Sequence, residues 1–155
     1  MPKVSRVAVL WNPGTPWHKA MLKEVDAVAP SLRLQPLAIV VRNRGDLEGV
    51  FSVITRDRVD ALFVSGKLSI DARTQLLNLA AKRRLPTMFG NREYVPAGGL
   101  MSYGVTSPEM FRQAAVYVDK IIKGAKPGDL PIEQPTKFLD VINELVRTRL
   151  RAERN

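Results

Sequence analysis

RVAVLWNPGTPWHKAMLKEV, residues Arg6–Val25, decides the fold, and the rest of the chain is arranged around it. Val7-Ala8-Val9-Leu10 is a short apolar run without alternation, as expected of a strand covered on both faces. It ends at Asn12-Pro13-Gly14, where proline removes a ladder donor and glycine permits a positive φ. Ala20, Met21, Val25 and Val28 then recur at helical spacing, and Thr15-Pro16 supplies a helix start with proline near the first position. The unit is strand, tight loop, helix. In an open parallel sheet, ligands bind outside the carboxyl ends of the strands, so this loop is the first candidate for binding.

The same alternation continues. Arg33–Val41 is the second expected strand, with Pro36 arguing for an edge position. Asp46 is the expected N-cap of a helix carrying Leu47, Val50, Phe51 and Ile54 on one face. Val59–Val64 forms a third strand closed by Ser65-Gly66, and Ser69 caps a helix with Ile70, Leu76, Leu77 and Ala80 inward. Thr87–Gly90 and Leu100–Gly104 are further strands, separated by a loop at Asn91–Ala97. Ser107-Pro108 opens a helix over 108–123, striped by Phe111, Ala114, Ala115, Val118, Ile121 and Ile122 and ended by Gly124. A proline-punctuated connection follows, then a strand at Phe138–Ile142 and a basic helix at Glu144–Arg154. Short connections between alternating strands and helices predict an α/β, three-layer sandwich with a mostly parallel sheet. A composition break near Gly98–Gly104 divides the chain into a lobe at 1–104 and a C-terminal segment at 105–155.

Composition sets limits on function. With 155 residues, 45% of them hydrophobic and 25% charged, the chain can form one domain with a substantial core. It has no cysteine, which excludes disulfides, thiolate zinc sites and thiol catalysis. The amino-terminal residues lack a secretory h-region, and no apolar run reaches about 18 residues. The net charge of +9 raises nucleic acid as a partner. However, Lys82-Arg83-Arg84 complements a helix C-terminus, and Arg147, Arg149, Arg151 and Arg154 have no stacking aromatic among them. A solvated basic surface is the better reading, with no specific nucleic acid.

Catalytic patterns are missing. Gly66-Lys67 lacks the earlier glycine of a phosphate loop, since position 61 is Ala61. No dinucleotide fingerprint and no nucleophile elbow occurs around Ser65. His18 is the single histidine, which rules out a His-based metal site, and at a loop–helix junction it is expected to be solvated. The chain is expected not to be an enzyme and to need no cofactor and no metal.

At VAVLWNPGTP, DALFVSG, RLPTMFGNREYVPAGGLMSYG and AVYVDKIIKGAKPGDLPIEQPTKF, the chain resembles ABC-transporter substrate-binding proteins of the type I periplasmic binding fold. The resemblance runs over about Val4–Asn143 and is most specific at Gly98–Phe138. It implies two α/β lobes joined by three crossings, with a small ligand held between them. On that pattern Arg6–Gly99 is most of the second lobe and Leu100–Gly104 crosses toward the first. The helix over 108–123 belongs to the first lobe, and Phe138–Asn143 returns to the second. The family's first lobe and secretion signal would precede Met1, so this sequence is a fragment or a shortened relative.

The resemblance and the strand-end rule together place ligand contacts at Asn12, Thr15, Trp17 and His18, at Ser65 and Gly66, and at Asn91 and Tyr94. Ser102 and Tyr103 would lie at the hinge. Thr15 and free amides at the helix start would hold a ligand carboxylate, and Trp17 or Tyr94 would pack on its side chain. Competing readings stay open: Asn12 as a turn former, Trp17 as a staple on its own helix, Ser65-Gly66 as plain loop, Tyr103 as a core filler. The implied function is solute binding for an ABC importer; the alternative is an effector-sensing domain of a transcriptional regulator. The implied partners are a small molecule, an ABC permease, and the first lobe or a second copy meeting helix 108–123. The family's site is periplasmic or extracellular, whereas the chain as it stands, lacking a signal peptide, would remain cytoplasmic.

Overall fold

The computed structural model describes residues 4–66, 70–105, 107–133 and 138–142. Six strands form one sheet: β1 (Arg6–Trp11), β2 (Gln35–Val40), β3 (Ala61–Val64), β4 (Thr87–Phe89), β5 (Met101–Val105) and β6 (Phe138–Ile142). Their order is β2-β1-β3-β4-β5-β6, with β6 alone running antiparallel, against β5. The helices are α1 (His18–Val28), α2 (Leu47–Arg56), α3 (Ile70–Lys82) and α4 (Ser107–Ile122). This is the expected α/β sandwich, and Pro36 lies on the edge strand β2, where its missing N–H removes no ladder bond to a second neighbour.

The strand order reverses after β2, so right-handed crossovers put α1 on one face and α2 with α3 on the other. The α2/α3 face is the denser one. Ala8 and Leu10 of β1 and Leu62 and Val64 of β3 meet Leu47, Val50, Phe51 and Ile54 of α2, with Leu76, Leu77 and Ala80 of α3 beside them. The α1 face is thinner: Val9 is buried beneath it, whereas Ala20 and Val28, expected inward, are exposed.

Three local expectations are corrected. The helix after β1 begins at His18, not at Thr15-Pro16, because Thr15 and His18 close successive tight turns onto Asn12 and Thr15 carbonyls first. The second strand begins at Gln35 because Arg33, at φ 56°, ends a 3-10 turn over Ala29–Leu32 in the left-handed region. Asp46 stands at the N-cap of α2 but makes no side-chain cap there; the side-chain capping is done at Asn43, the N-cap of a 3-10 turn over Arg44–Asp46. The Asn43 side chain accepts from the Gly45 amide, and the Asp46 carboxylate takes the Arg42 and Asn43 amides, a capping box one turn earlier than the sequence suggested. Ser69 as a cap and the basic helix at Glu144–Arg154 lie outside the described residues.

β6 joins the sheet along the length of β5, from Met101↔Ile142 to Val105↔Phe138, so the chain after α4 returns to the same sheet. Between them α4 leaves the core. Among its described side chains none is buried.

Candidate functional site

β1, β3 and β4 are adjacent and parallel, so their carboxyl ends, Asn12, Ser65-Gly66 and Asn91, share one edge of the sheet. Ser102 pairs in register with Phe89 and extends that edge into β5. The Gly90 amide donates to the Val64 carbonyl and ties the β3 and β4 ends together.

The densest part of this edge is built by the β1–α1 loop. Asn12 folds the loop onto itself: its Oδ1 accepts from the Gly14 amide at 2.8 Å, and its carbonyl accepts from the Thr15 amide. The turn-former reading of Asn12 therefore holds for that oxygen. His18, placed at the first residue of α1, turns back beneath the loop and is only 3% exposed. The expectation of a solvated histidine is overturned, because Trp17 covers one side of the ring and Gly66 another. The two rings meet edge to face at 4.3 Å. A Cβ on Gly66 would stand 2.9 Å from His18 Nε2 and 3.8 Å from Trp17 Cζ2, so only glycine, here at φ 85°, lets the two loops close this far.

The Asn12 amide lies 2.8 Å from His18 Nδ1, and the Asn12 carbonyl oxygen lies 3.2 Å from the same nitrogen. An amide N–H can only donate, so the shorter contact requires a bare Nδ1 and puts the ring proton of the neutral imidazole on Nε2. Nε2 is buried and has no hydrogen-bond partner among the described residues. The α1 terminus has no acidic residue in its first turn, and the Lys19 and Ala20 amides donate to no backbone acceptor among the described residues. Among the described residues, the start of α1 therefore offers donors, and its first turn carries no carboxylate.

The remaining expected residues divide. Trp17 is 51% exposed and presents its ring to solvent. Thr15 makes no side-chain cap at α1. Ser65 and Ser102 are buried, and the Ser102 hydroxyl has no partner among the described residues. Asn91 begins the 3-10 turn Arg92–Tyr94 without capping it through its side chain. Tyr103 is exposed, not a core filler. Tyr94, expected as a platform for a ligand, is 2% exposed: its ring stacks on Phe89 at 4.3 Å as part of the core. Sequence reasoning missed Arg73, whose guanidinium lies over the Tyr94 ring at 5.9 Å and whose buried Nε has no hydrogen-bond partner among the described residues. Nothing local in its helix marks it out. Among the described residues no three potential ligand side chains gather to hold a metal ion, and no helix is long and apolar enough to cross a membrane.

Comparison with known proteins gives one family match, to the ABC transporter substrate binding protein family, over residues 1–152. No curated protein matches the sequence. Among solved structures, the chain is similar to an ABC domain from Streptococcus pneumoniae in complex with L-Trp, at TM-score 0.80 and 22% identity, over 96% of this chain and 50% of that one. A conserved domain protein from Vibrio cholerae matches at TM-score 0.80 and 21% identity, over 97% of this chain and 51% of that one. A LacI-family transcription repressor from Corynebacterium glutamicum matches at TM-score 0.67 and 12% identity, over 91% and 57%. At these identities the structures share a fold with the chain, which spans about half the length of the first two.

Proposed function

We propose, since the chain belongs to the ABC transporter substrate binding protein family, that it is the second, ligand-facing lobe of a solute-binding component serving an ABC-type importer. It binds a small molecule non-covalently at the carboxyl ends of its strands and performs no chemistry on it. The family match over residues 1–152 carries the reading. The donor-rich corner at Trp17, His18 and Gly66 supports a ligand that carries an oxygen acceptor, such as an amino acid or another carboxylate. On this reading the protein works outside the cytoplasm with a permease. The apolar stripe of α4 meets the first lobe or, in its absence, a second copy of the chain. The regulator reading rests on the shared fold alone, to which the LacI-family repressor belongs, and no feature of this site favours it over transport.

The test is a titration of the isotopically labelled chain with a panel of amino acids, aromatic acids and polyols, followed by amide chemical shifts. Saturable shifts confined to Asn12–Lys19, Ser65-Gly66, Asn91 and Ser102-Tyr103 support solute binding at this edge. Shifts elsewhere, or turnover of any panel member, would overturn it.

A further inference from the structure

We propose that the edge of the sheet opposite the candidate site, where the parallel strands begin, is a docking surface for an anionic membrane, whose lipid phosphates are held by a row of arginines. The inference goes beyond solute binding and stands independently of it.

The 3-10 turn after α1 and the helices α2 and α3 end at this edge in the same way. Leu34, Val59 and Leu85 each donate to the carbonyl five residues back, at Ala29, Ile54 and Ala80. The residue before each donor, Arg33, Arg58 or Arg84, sits in the left-handed region at φ 56°, 51° and 51°. Glycine is favoured at this place in a helix ending, because a Cβ there is strained. α4 closes with the same bond, from the Ala125 amide to the Lys120 carbonyl, and there the left-handed residue is Gly124. The difference follows position. After α1, α2 and α3 the chain enters a parallel strand at the amino edge, whereas after α4 it re-enters at Phe138, beside Val105 at the carboxyl end of β5. Arginine thus stands in place of glycine at each of the three endings that meet the amino edge. Helix dipoles do not account for it, since Arg56 and Lys82 already supply cations to the last turns of α2 and α3. A strained residue type kept at three equivalent places points to function.

The sheet sets these arginines in a row. Arg6 pairs with Gln35, Val7 with Ala61 and Leu62 with Thr87, so β2, β1, β3 and β4 begin side by side. In that order Arg33, Arg6, Arg58 and Arg84 stand at or just before the first strand residues, all exposed, across about 15 Å at the usual strand spacing. The acids next to the row are engaged: Asp57 pairs with Arg56 at 2.8 Å, and Asp60 accepts from the Ser5 and Arg6 amides. Arg33, Arg58 and Arg84 make no ion pair among the described residues. A guanidinium can hold phosphate oxygens through two hydrogen bonds at once. Two features choose a membrane over a nucleic acid. Val4 and Leu32, close to Arg6 and Arg33 in the chain, are 42% and 60% exposed, and aliphatic side chains beside cations suit the boundary beneath lipid headgroups. The exposed aromatics Trp17, Tyr103 and Phe111 belong to the β1–α1 loop, β5 and α4, which leaves the row without a platform for stacking bases. Seated on this edge, the sheet turns its carboxyl ends, and the candidate site with them, away from the lipid.

The test uses the full chain and vesicles of phosphatidylcholine, alone or with an equal part of phosphatidylglycerol, with co-sedimentation as the readout. Wild type is expected to follow only the anionic vesicles at about 0.1 M salt and to leave them at about 1 M, where the Debye length falls from about 10 to about 3 Å. Arg33→Gly, Arg58→Gly and Arg84→Gly combined remove charge and backbone strain together, so the urea midpoint is expected to hold or rise. Partitioning of this triple variant is expected to fall about a hundredfold, and that of Arg58→Gly alone about fivefold. Lys23→Gln, Lys120→Gln and Lys126→Gln combined remove the same charge off the row and are expected to change partitioning by less than about threefold. Equal losses in the two triple variants would assign binding to net charge and overturn the proposal. It is likewise overturned by equal binding to neutral vesicles, by binding to neither, or by tighter binding to a mixed-sequence DNA duplex than to anionic vesicles at the same salt. A lowered urea midpoint in the glycine variants would make the arginines parts of the fold and overturn it too.

Discussion

Gly104 of β5 lies directly against the carbonyl of Gly90: a Cβ at position 104 would stand 2.2 Å from that oxygen. The Gly90 amide is itself bonded to Val64, so the carbonyl has little room to retreat. Gly104→Ala must therefore push β5 away from the β4 turn. A small-to-large change in a closed contact costs about 1–3 kcal/mol. The urea midpoint is expected to fall accordingly, with amide shifts spreading from Gly90 into Ser102 and Tyr103. An unchanged midpoint would mean that β5 slides freely past the turn.

Acid should loosen two separate corners of the fold. Asp46 has its pKa lowered by hydrogen bonds from the Arg42 and then the Asn43 backbone amides. Asp60 has its own lowered by the Arg6 and then the Ser5 amides, at 2.8 and 2.9 Å. Each native carboxyl binds its proton less readily than the unfolded one. Both contributions are therefore complete above the unfolded value, near 3.8, and are lost as pH falls through the lower folded values. The urea midpoint of the wild type is expected to decline on acidification below about pH 4. Asp46→Asn and Asp60→Asn should each lower the midpoint at pH 7 and flatten the decline. Parallel curves for wild type and variants would exclude these two groups as its source.

Most of the fold was legible in the sequence because its signals are local. Uninterrupted apolar runs marked buried strands, and the 3.6-residue spacing of Leu47, Val50, Phe51 and Ile54 marked the face of α2 that is in fact buried. Where the reading failed, two local signals competed or a distant contact decided. Asp46 and Asn43 are both good caps, and only the folded loop shows Asn43 as cap and Asp46 as its reciprocal partner. His18 looked like a surface residue because what buries it, Gly66, arrives from a loop 48 positions away in sequence. Tyr94 looked like a platform because the sequence, although it sets Phe89 five residues earlier, does not show that the turn between them folds back and stacks the two rings. The candidate site was legible as loops at strand ends, but not as a geometry.

Tyr94 separates a structural role from a binding one. Its ring is enclosed by the core and stacked on Phe89, so Tyr94→Ala removes buried aromatic surface and leaves a cavity beneath the Asn91 turn. Truncations of this kind cost about 3–5 kcal/mol. Tyr94→Phe keeps the stack and is expected to leave binding of any panel ligand within about twofold, below the 1.4 kcal/mol that separates tenfold steps. Loss of ligand binding in Tyr94→Phe with stability preserved would return the tyrosine to the ligand site.

Helix α4 should govern the association state of the chain. Phe111, Ala114, Ala115, Val118, Ile121 and Ile122 recur at spacings of three and four and form one face, with Phe111 74% and Ile122 81% exposed. The other side is engaged from within the chain: the Gln113 amide donates to Glu133, and the Tyr117 hydroxyl donates to the Pro131 carbonyl. The segment after α4 thus covers its polar side and leaves the apolar stripe bare. A bare stripe of this length favours pairing with a like surface, since each large side chain removed from water contributes about 1.5–3 kcal/mol as an upper bound. Sedimentation velocity is expected to show self-association that strengthens with concentration. Phe111→Glu with Ile122→Glu should return the chain to a monomer, and the urea midpoint, compared at a dilution where the wild type is also monomeric, should not fall, because both side chains are exposed in the single chain. A wild type that sediments as a monomer at every concentration would show that this stripe does not drive association.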